Sequence, residues 1–117
     1  MFVAAPFRGE VAVAVAPARV AIGGAMTLRI DLRAAAGGRA QRLVVDYVVR
    51  RDGAASTRPK VWKGWTVVLA PGEARTLSKA HSWRPTTVRV DRPGRHVVEL
   101  RINGRAVAHA TFELRAR

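Results

Sequence analysis

Leu69–Gly104 reads LAPGEARTLSKAHSWRPTTVRVDRPGRHVVELRING, and two kinds of signal in it decide the fold. Pro71-Gly72 and Pro93-Gly94 suit tight turns, because proline presets φ and glycine accepts positive φ. After the second pair, His96-Val97-Val98-Glu99-Leu100-Arg101-Ile102 alternates apolar and polar side chains at period two. That is a strand with one buried and one wet face. Between the turns lie Lys79, His81, Trp83, Arg84 and Arg89, a cationic run around one large ring.

Working outward, Met26-Thr27-Leu28-Arg29-Ile30-Asp31-Leu32-Arg33 is the most regular segment. Met26, Leu28, Ile30 and Leu32 point one way, whereas helical spacing would smear them around a cylinder. Leu43 to Val49 is apolar at both parities, as in a strand covered on both faces or flanking a partner. Leu43, Val45, Tyr47 and Val49 are placed inward, with Val44, Asp46 and Val48 outward. Glu10 to Val15 is a first short strand ended by Pro17, and Val20 and Ile22 continue after a kink to the Gly23-Gly24 turn. Trp65 to Leu69 and Thr76 onward are further strands, while Ala34–Arg39 and Arg51–Pro59 are loops.

Asn103-Gly104 ordinarily marks a two-residue hairpin turn, but that register would leave Phe112 and Leu114 on the wrong face. A three-residue loop with Gly104 left-handed aligns Val98, Leu100, Ala106, Ala108, Ala110, Phe112 and Leu114, so this loop with a bulge is expected. Strands separated by turn dipeptides, with no helical period, predict an all-β fold: a seven- to eight-stranded antiparallel immunoglobulin-like β-sandwich. It spans 10–117, and residues 1–9 read as a leader or linker. Such folds often place a tyrosine after the turn that enters the penultimate strand; His96 stands there and is expected to bond back to the corner.

The 117 residues suffice for one domain with its own core. With no cysteine, neither disulfides nor thiolate metal sites are available. MFVAAPFRGE lacks a charged n-region and a sustained apolar core, and no run is long enough for a membrane helix, so a cytoplasmic protein without a membrane partner is expected. Lys and Arg number 21 against 8 acids, a net charge of +13, which attracts polyanions such as DNA or RNA. GC-rich coding explains the preference for arginine over lysine but not the scarcity of acids.

The carboxylates are scattered singly, and His81, His96 and His109 have no ligand-like spacing, so neither acid–base catalysis, a metal nor any cofactor is expected. No nucleophile elbow or phosphate loop is present. What remains is a basic surface with aromatics in it: Lys60, Trp62, Lys63, Trp65, Lys79, His81, Trp83, Arg84, Arg89, Arg92 and Arg95. Cations contact phosphates, and flat rings can stack on bases or pack a sandwich core. Leu77, Lys79, His81 and Trp83 share one parity, so either a bulge intervenes or regular structure ends near Lys79.

At these residues the chain resembles the C-terminal immunoglobulin-like domain of bacterial DNA alkylation repair proteins of the AlkC kind. The likeness runs through Val45-Asp46-Tyr47, Lys60-Val61-Trp62-Lys63, Leu69-Ala70-Pro71-Gly72-Glu73, Leu77-Ser78-Lys79, His81-Ser82-Trp83-Arg84-Pro85, Pro93-Gly94-Arg95-His96, Glu99 and Asn103-Gly104. In that family a HEAT-like helical repeat domain excises alkylated bases such as 3-methyladenine, and a sandwich of this type helps grip the DNA. The resemblance implies a non-catalytic accessory that binds double-stranded DNA, with the HEAT-like glycosylase domain as a further partner. Where the family usually has phenylalanine, this chain has Trp62 and Trp83; a second basic residue after Arg89 is replaced by Val90. The expected DNA-binding residues are Lys63, Lys79, Arg84, Arg89 and Arg95, with His81 near a groove. The alternative is a protein–protein module that docks through a sheet edge or an apolar outer face of Val44, Val48 and Val97.

Overall fold

The computed structural model describes residues 5–51, 61–84 and 92–116, and they form eight strands in two sheets packed as a sandwich. The strands are β1 (Gly9–Ala16), β2 (Arg19–Ala21), β3 (Ala25–Ala34), β4 (Gln41–Arg51), β5 (Val61–Leu69), β6 (Ala74–Ser82), β7 (Gly94–Ile102) and β8 (Arg105–Arg115). A three-stranded sheet has the order β1-β3-β6, and a five-stranded sheet the order β2-β8-β7-β4-β5. Every pairing is antiparallel except β2 with β8, which is parallel. The first strand thus changes sheets at Pro17, β1 serving one layer and β2 the other.

β3 carries out its sequence pattern without a fault: Met26, Leu28, Ile30, Leu32 and Ala34 are buried and the residues between them exposed. Against them the five-stranded sheet presents Leu43, Val45, Tyr47, Val98, Leu100, Ile102, Phe112 and Leu114. Phe7 packs on this cluster, and Gln41 bonds the Arg8 backbone through both ends of its amide, at 2.9 Å each way. The Pro71-Gly72 turn forms as its dipeptide dictates, with Glu73 N–H donating to the Ala70 carbonyl at 3.0 Å. The Glu73 carboxylate accepts back from Ala70 N–H and from Arg75, and these two bonds hold its pKa below the usual carboxylate range.

Two bulges set the faces of the larger sheet. The β7–β8 hairpin closes through a two-residue turn, not the three-residue loop that face matching suggested: Ile102 pairs Arg105, and Asn103 and Gly104 have φ of 52° and 82°. Those are the positive angles of the hairpin turn that Asn-Gly favours. Parity is restored one step later, because Arg101 pairs Ala106 while Leu100 pairs Ala108, leaving Val107 extra. Ala108, Ala110, Phe112 and Leu114 therefore do face inward, but Ala106 lies on the outer face. The Asn103 amide also locks this corner to β4, accepting from Val44 N–H at 2.9 Å and donating to Ala5 O at 2.9 Å.

The second bulge is in β5, where Val45 pairs Trp65 and Asp46 pairs Lys63, so Gly64 is extra. β5 consequently begins at Val61, earlier than the sequence pattern suggested, and both Trp62 and Trp65 turn toward the core despite odd spacing. A Cβ on Gly64 would lie 2.8 Å from the Val45 carbonyl oxygen, closer than real contacts allow. Gly64→Ala is expected to lower stability by about 1–3 kcal/mol as backbone is forced apart. Urea unfolding followed by tryptophan fluorescence measures this, and an unchanged midpoint would show that β5 tolerates a side chain in the bulge.

Candidate nucleic-acid interface

Antiparallel partners share a face, so the register sorts the charged residues by side of the sandwich. On the outer face of the five-stranded sheet stand Arg42 and Arg50 from β4, Lys63 from β5, and Arg95 and Arg101 from β7. Arg19 and Arg115 extend it on β2 and β8. Among the described residues, Asp46, Glu99 and Glu113 are the acids that oppose these seven cations there. Arg101 is paired to Glu99 at 2.8 Å, and Glu113 sits 3.8 Å and 3.9 Å from Arg19 and Arg115.

The outer face of the smaller sheet is balanced. Arg29 and Arg33 are matched by Glu10 and Asp31, among alanine, serine and threonine side chains. Thr76 hydroxyl donates to Asp31 at 2.7 Å and Arg29 lies 3.3 Å away, which keeps that carboxyl below its ordinary pKa. Of the two outer faces, the one on the five-stranded sheet thus carries the net positive charge. Within it, a groove of ≈ 440 Å³ runs over Val97, Ala106 and Ala108, with Arg50 and Arg95 among its lining residues.

The residues singled out from sequence fall in three places. Lys63 and Arg95 are exposed on the cationic face. Arg84 is exposed just after β6, its N–H 3.2 Å from Ser82 Oγ. Arg89, like Lys60, lies outside the described residues. Lys79 and His81, however, turn inward. β6 neither bulges nor ends near Lys79; it stays regular to Ser82 and pairs Leu28 with Lys79 and Met26 with His81. Lys79 crosses the open side of the sandwich and donates to the Lys63 carbonyl at 3.2 Å, its ammonium 5.6 Å from the centre of the Tyr47 ring.

His81, expected beside a groove, is a core residue at 4% exposure. It shares a 3.1 Å hydrogen bond with Tyr47 Oη, and the rings of Trp62 and Trp83 meet it edge-on, each with centroids 4.8 Å away. Trp83 is held by backbone bonds to Gly23 and Gly24 and continues the stack to His96 and Phe112. Trp83 is therefore core, while Trp62 and Trp65 are half-buried. His96 performs the corner duty expected of it, its Nδ1–H donating to the Gly94 carbonyl at 3.0 Å.

Arg42 and Arg50 escaped the sequence reading, although the parity that put Val44 and Val48 outward also assigned them. The apolar outer face is less open than expected: Val44 is 41% exposed, but Val48 and Val97 are buried at 1% and 5%.

Residues 10–116 match the family described as "Uncharacterised protein YhaZ, C-terminal Ig-like domain". The chain belongs to this family. Among solved structures it is similar to the Pseudomonas fluorescens alkylpurine DNA glycosylase AlkC bound to DNA containing an abasic site analog, at 31% identity and a TM-score of 0.86. That match covers 96% of this chain and 32% of AlkC, so the YhaZ-type domain spans about a third of that enzyme. The β-glucosidase EmGH1 of Erythrobacter marinus (18% identity, TM-score 0.69, 92% of this chain and 16% of that one) shares the sandwich fold alone. So does the Listeria innocua β-glucosidase, at 16% identity and a TM-score of 0.62 over 91% of this chain and 16% of that one. No curated protein matches the chain.

Tyr47 is the only tyrosine, so its ionisation can be followed alone by absorbance near 295 nm (roughly the tyrosinate band). Burial raises its pKa above the usual phenol value. A raised folded pKa means the stabilisation is complete below the unfolded value of about 10 and is lost as pH climbs through the folded one. Stability should therefore fall on the alkaline side, and Tyr47→Phe should remove this dependence at a cost of about 1–2 kcal/mol for the His81 bond. A phenol that titrates near 10 in the folded protein would contradict the buried placement.

Proposed function

We propose that this domain is a non-catalytic DNA-binding accessory of an alkylation-repair glycosylase, gripping duplex DNA through phosphate contacts. The one observation that carries the proposal is the net positive outer face of the five-stranded sheet, seven cations against three acids among the described residues, in a domain similar to part of a DNA-bound glycosylase. Lys63 and Arg95 contact phosphates from that face together with Arg50; Arg84 contributes from the end of β6, and Arg89 enters on its sequence pattern alone. Lys79 and His81 support the scaffold instead. The glycosidic chemistry belongs to a helical partner domain, and contacts made to phosphates alone add affinity without reading sequence.

Anisotropy with a short duplex across a salt series tests this. About four neutralised phosphates give a slope of log K against log salt near −3.6. Arg50→Gln and Lys63→Gln should each reduce that slope by about 0.9, while Arg29→Gln with Arg33→Gln, on the balanced face, leaves it unchanged. A flat salt response, absence of binding at low salt, or equal loss from the control pair would reject the proposal.

A further inference from the structure

The chain contains one asparagine and one glutamine, and both carboxamides hold the segment that leads into β1. Gln41 bonds the Arg8 backbone in both directions, and Asn103 Nδ2 donates to the Ala5 carbonyl at 2.9 Å. The same Nδ2 donates to the Arg42 carbonyl at 3.3 Å, while Oδ1 accepts from Val44 N–H at 2.9 Å. One amide thus ties the β7–β8 turn both to β4 and to residue 5. Its two ends are not interchangeable, since a group facing two carbonyl oxygens must be a donor. The next residue is Gly104, and its backbone nitrogen is open to the Asn103 side chain. Glycine has no Cβ to block the approach, and beyond its chain neighbours no atom stands within 4 Å of where one would lie. Among the described residues Gly104 N–H makes no hydrogen bond. A cleft of ≈ 420 Å³, lined by Ala5, Arg42, Val44 and Asn103, admits water to the amide.

We propose that Asn103 is a spontaneous deamidation site, and that its conversion unlatches the Ala5–Arg8 segment from the sandwich. As the carboxamide swings from β4, Gly104 N attacks Asn103 Cγ. The N–Cγ bond forms, the Cγ–Nδ2 bond breaks, and the proton of Gly104 N leaves with the amino group as ammonia. Water then adds to either carbonyl of the succinimide. Opening at Cγ gives aspartate; opening at the other carbonyl gives isoaspartate, whose backbone runs through Cγ and is one atom longer. Either product carries a carboxylate and no side-chain N–H. It cannot donate to the Ala5 and Arg42 carbonyls, and an anion set against two carbonyl oxygens is repelled. The longer backbone of isoaspartate also misfits the two-residue turn that φ of 52° and 82° now close. The three side-chain bonds restrain the swing, so the closed corner reacts slowly, but a corner once converted cannot latch again.

With a single asparagine in the chain, intact mass reads the reaction. Incubation in mildly alkaline buffer should yield an acidic form about one dalton heavier, which peptide mapping places at 103 as aspartate and isoaspartate. It should form more slowly than in the free peptide RINGR, whose amide has no latch. Hydrogen exchange reads the consequence. Arg8 N–H donates to Gln41 and Ala35 N–H to the Arg8 carbonyl, and in the converted protein and in Asn103→Asp both amides should exchange about tenfold faster or more. Thr66→Asp adds the same charge beside Val44 without touching the latch, and should leave both amides protected. Circular dichroism checks that the variants are folded, and the converted wild-type chain gives the decisive exchange rates. A native chain that keeps its asparagine over many half-lives of the free peptide overturns the proposal. So does a converted protein that protects Arg8 and Ala35 as before; neither result bears on DNA binding.

Discussion

Strand parity is the constraint from which the rest of this domain follows. Side chains in a sheet alternate strictly, so one inserted residue inverts every position beyond it. The five-stranded sheet uses that rule twice. Gly64 lets Trp62 and Trp65, three residues apart, both face the core. The extra Val107 lets an Asn-Gly turn of two residues coexist with Phe112 and Leu114 buried at the far end of β8. Without the Gly64 insertion Trp62 and Trp65 could not both face inward, and without Val107 the inward Phe112 and Leu114 would exchange places with Glu113 and Arg115.

The same parity separates charge. Arg42 and Arg50 on β4 are outward because Leu43, Val45 and Tyr47 must be inward, and β7 repeats this with Arg95 and Arg101 around Val98 and Leu100. Core formation and the cationic surface are therefore one pattern seen from two sides. The smaller sheet alternates just as strictly but spends its outer positions on small residues and matched charges. Of the two outer faces, the larger sheet's is therefore the more attractive to a polyanion.

How much of this was legible in the sequence depended on whether local periodicity had a competitor. β3 could be read directly, because nothing interrupts Met26 to Arg33, and the Pro71-Gly72 turn and the His96 corner follow from residues fixed by backbone geometry. The hairpin had two solutions with nearly the same faces, a longer loop or a short turn plus bulge, and only Ala106 tells them apart. β5 was shortened because the Gly64 bulge breaks its period where Trp62-Lys63 looked like surface chemistry. For the site, a basic aromatic run suggested exposure at His81, yet the ring's partners Tyr47, Trp62 and Trp83 come from two other strands and the end of its own. Contacts between sheets leave no local trace in a sequence.

Lys79 shows why a charge on an inward position is compatible with a stable core. β5 and β6 face each other across the open side of the sandwich, where the layers are not joined by hydrogen-bonded strands. An apolar side chain at position 79 would close that seam but leave β6 an unguarded edge with alanines and serines along its outside. The lysine ammonium reaches the Lys63 carbonyl on the opposite sheet while standing over the Tyr47 ring, so the charge is both hydrogen-bonded and set over an aromatic face. An inward cation thereby links the two layers. Whether a given lysine or arginine stands on the outer face or in the seam between the layers is thus decided by the parity of its strand position, not by its neighbours in sequence.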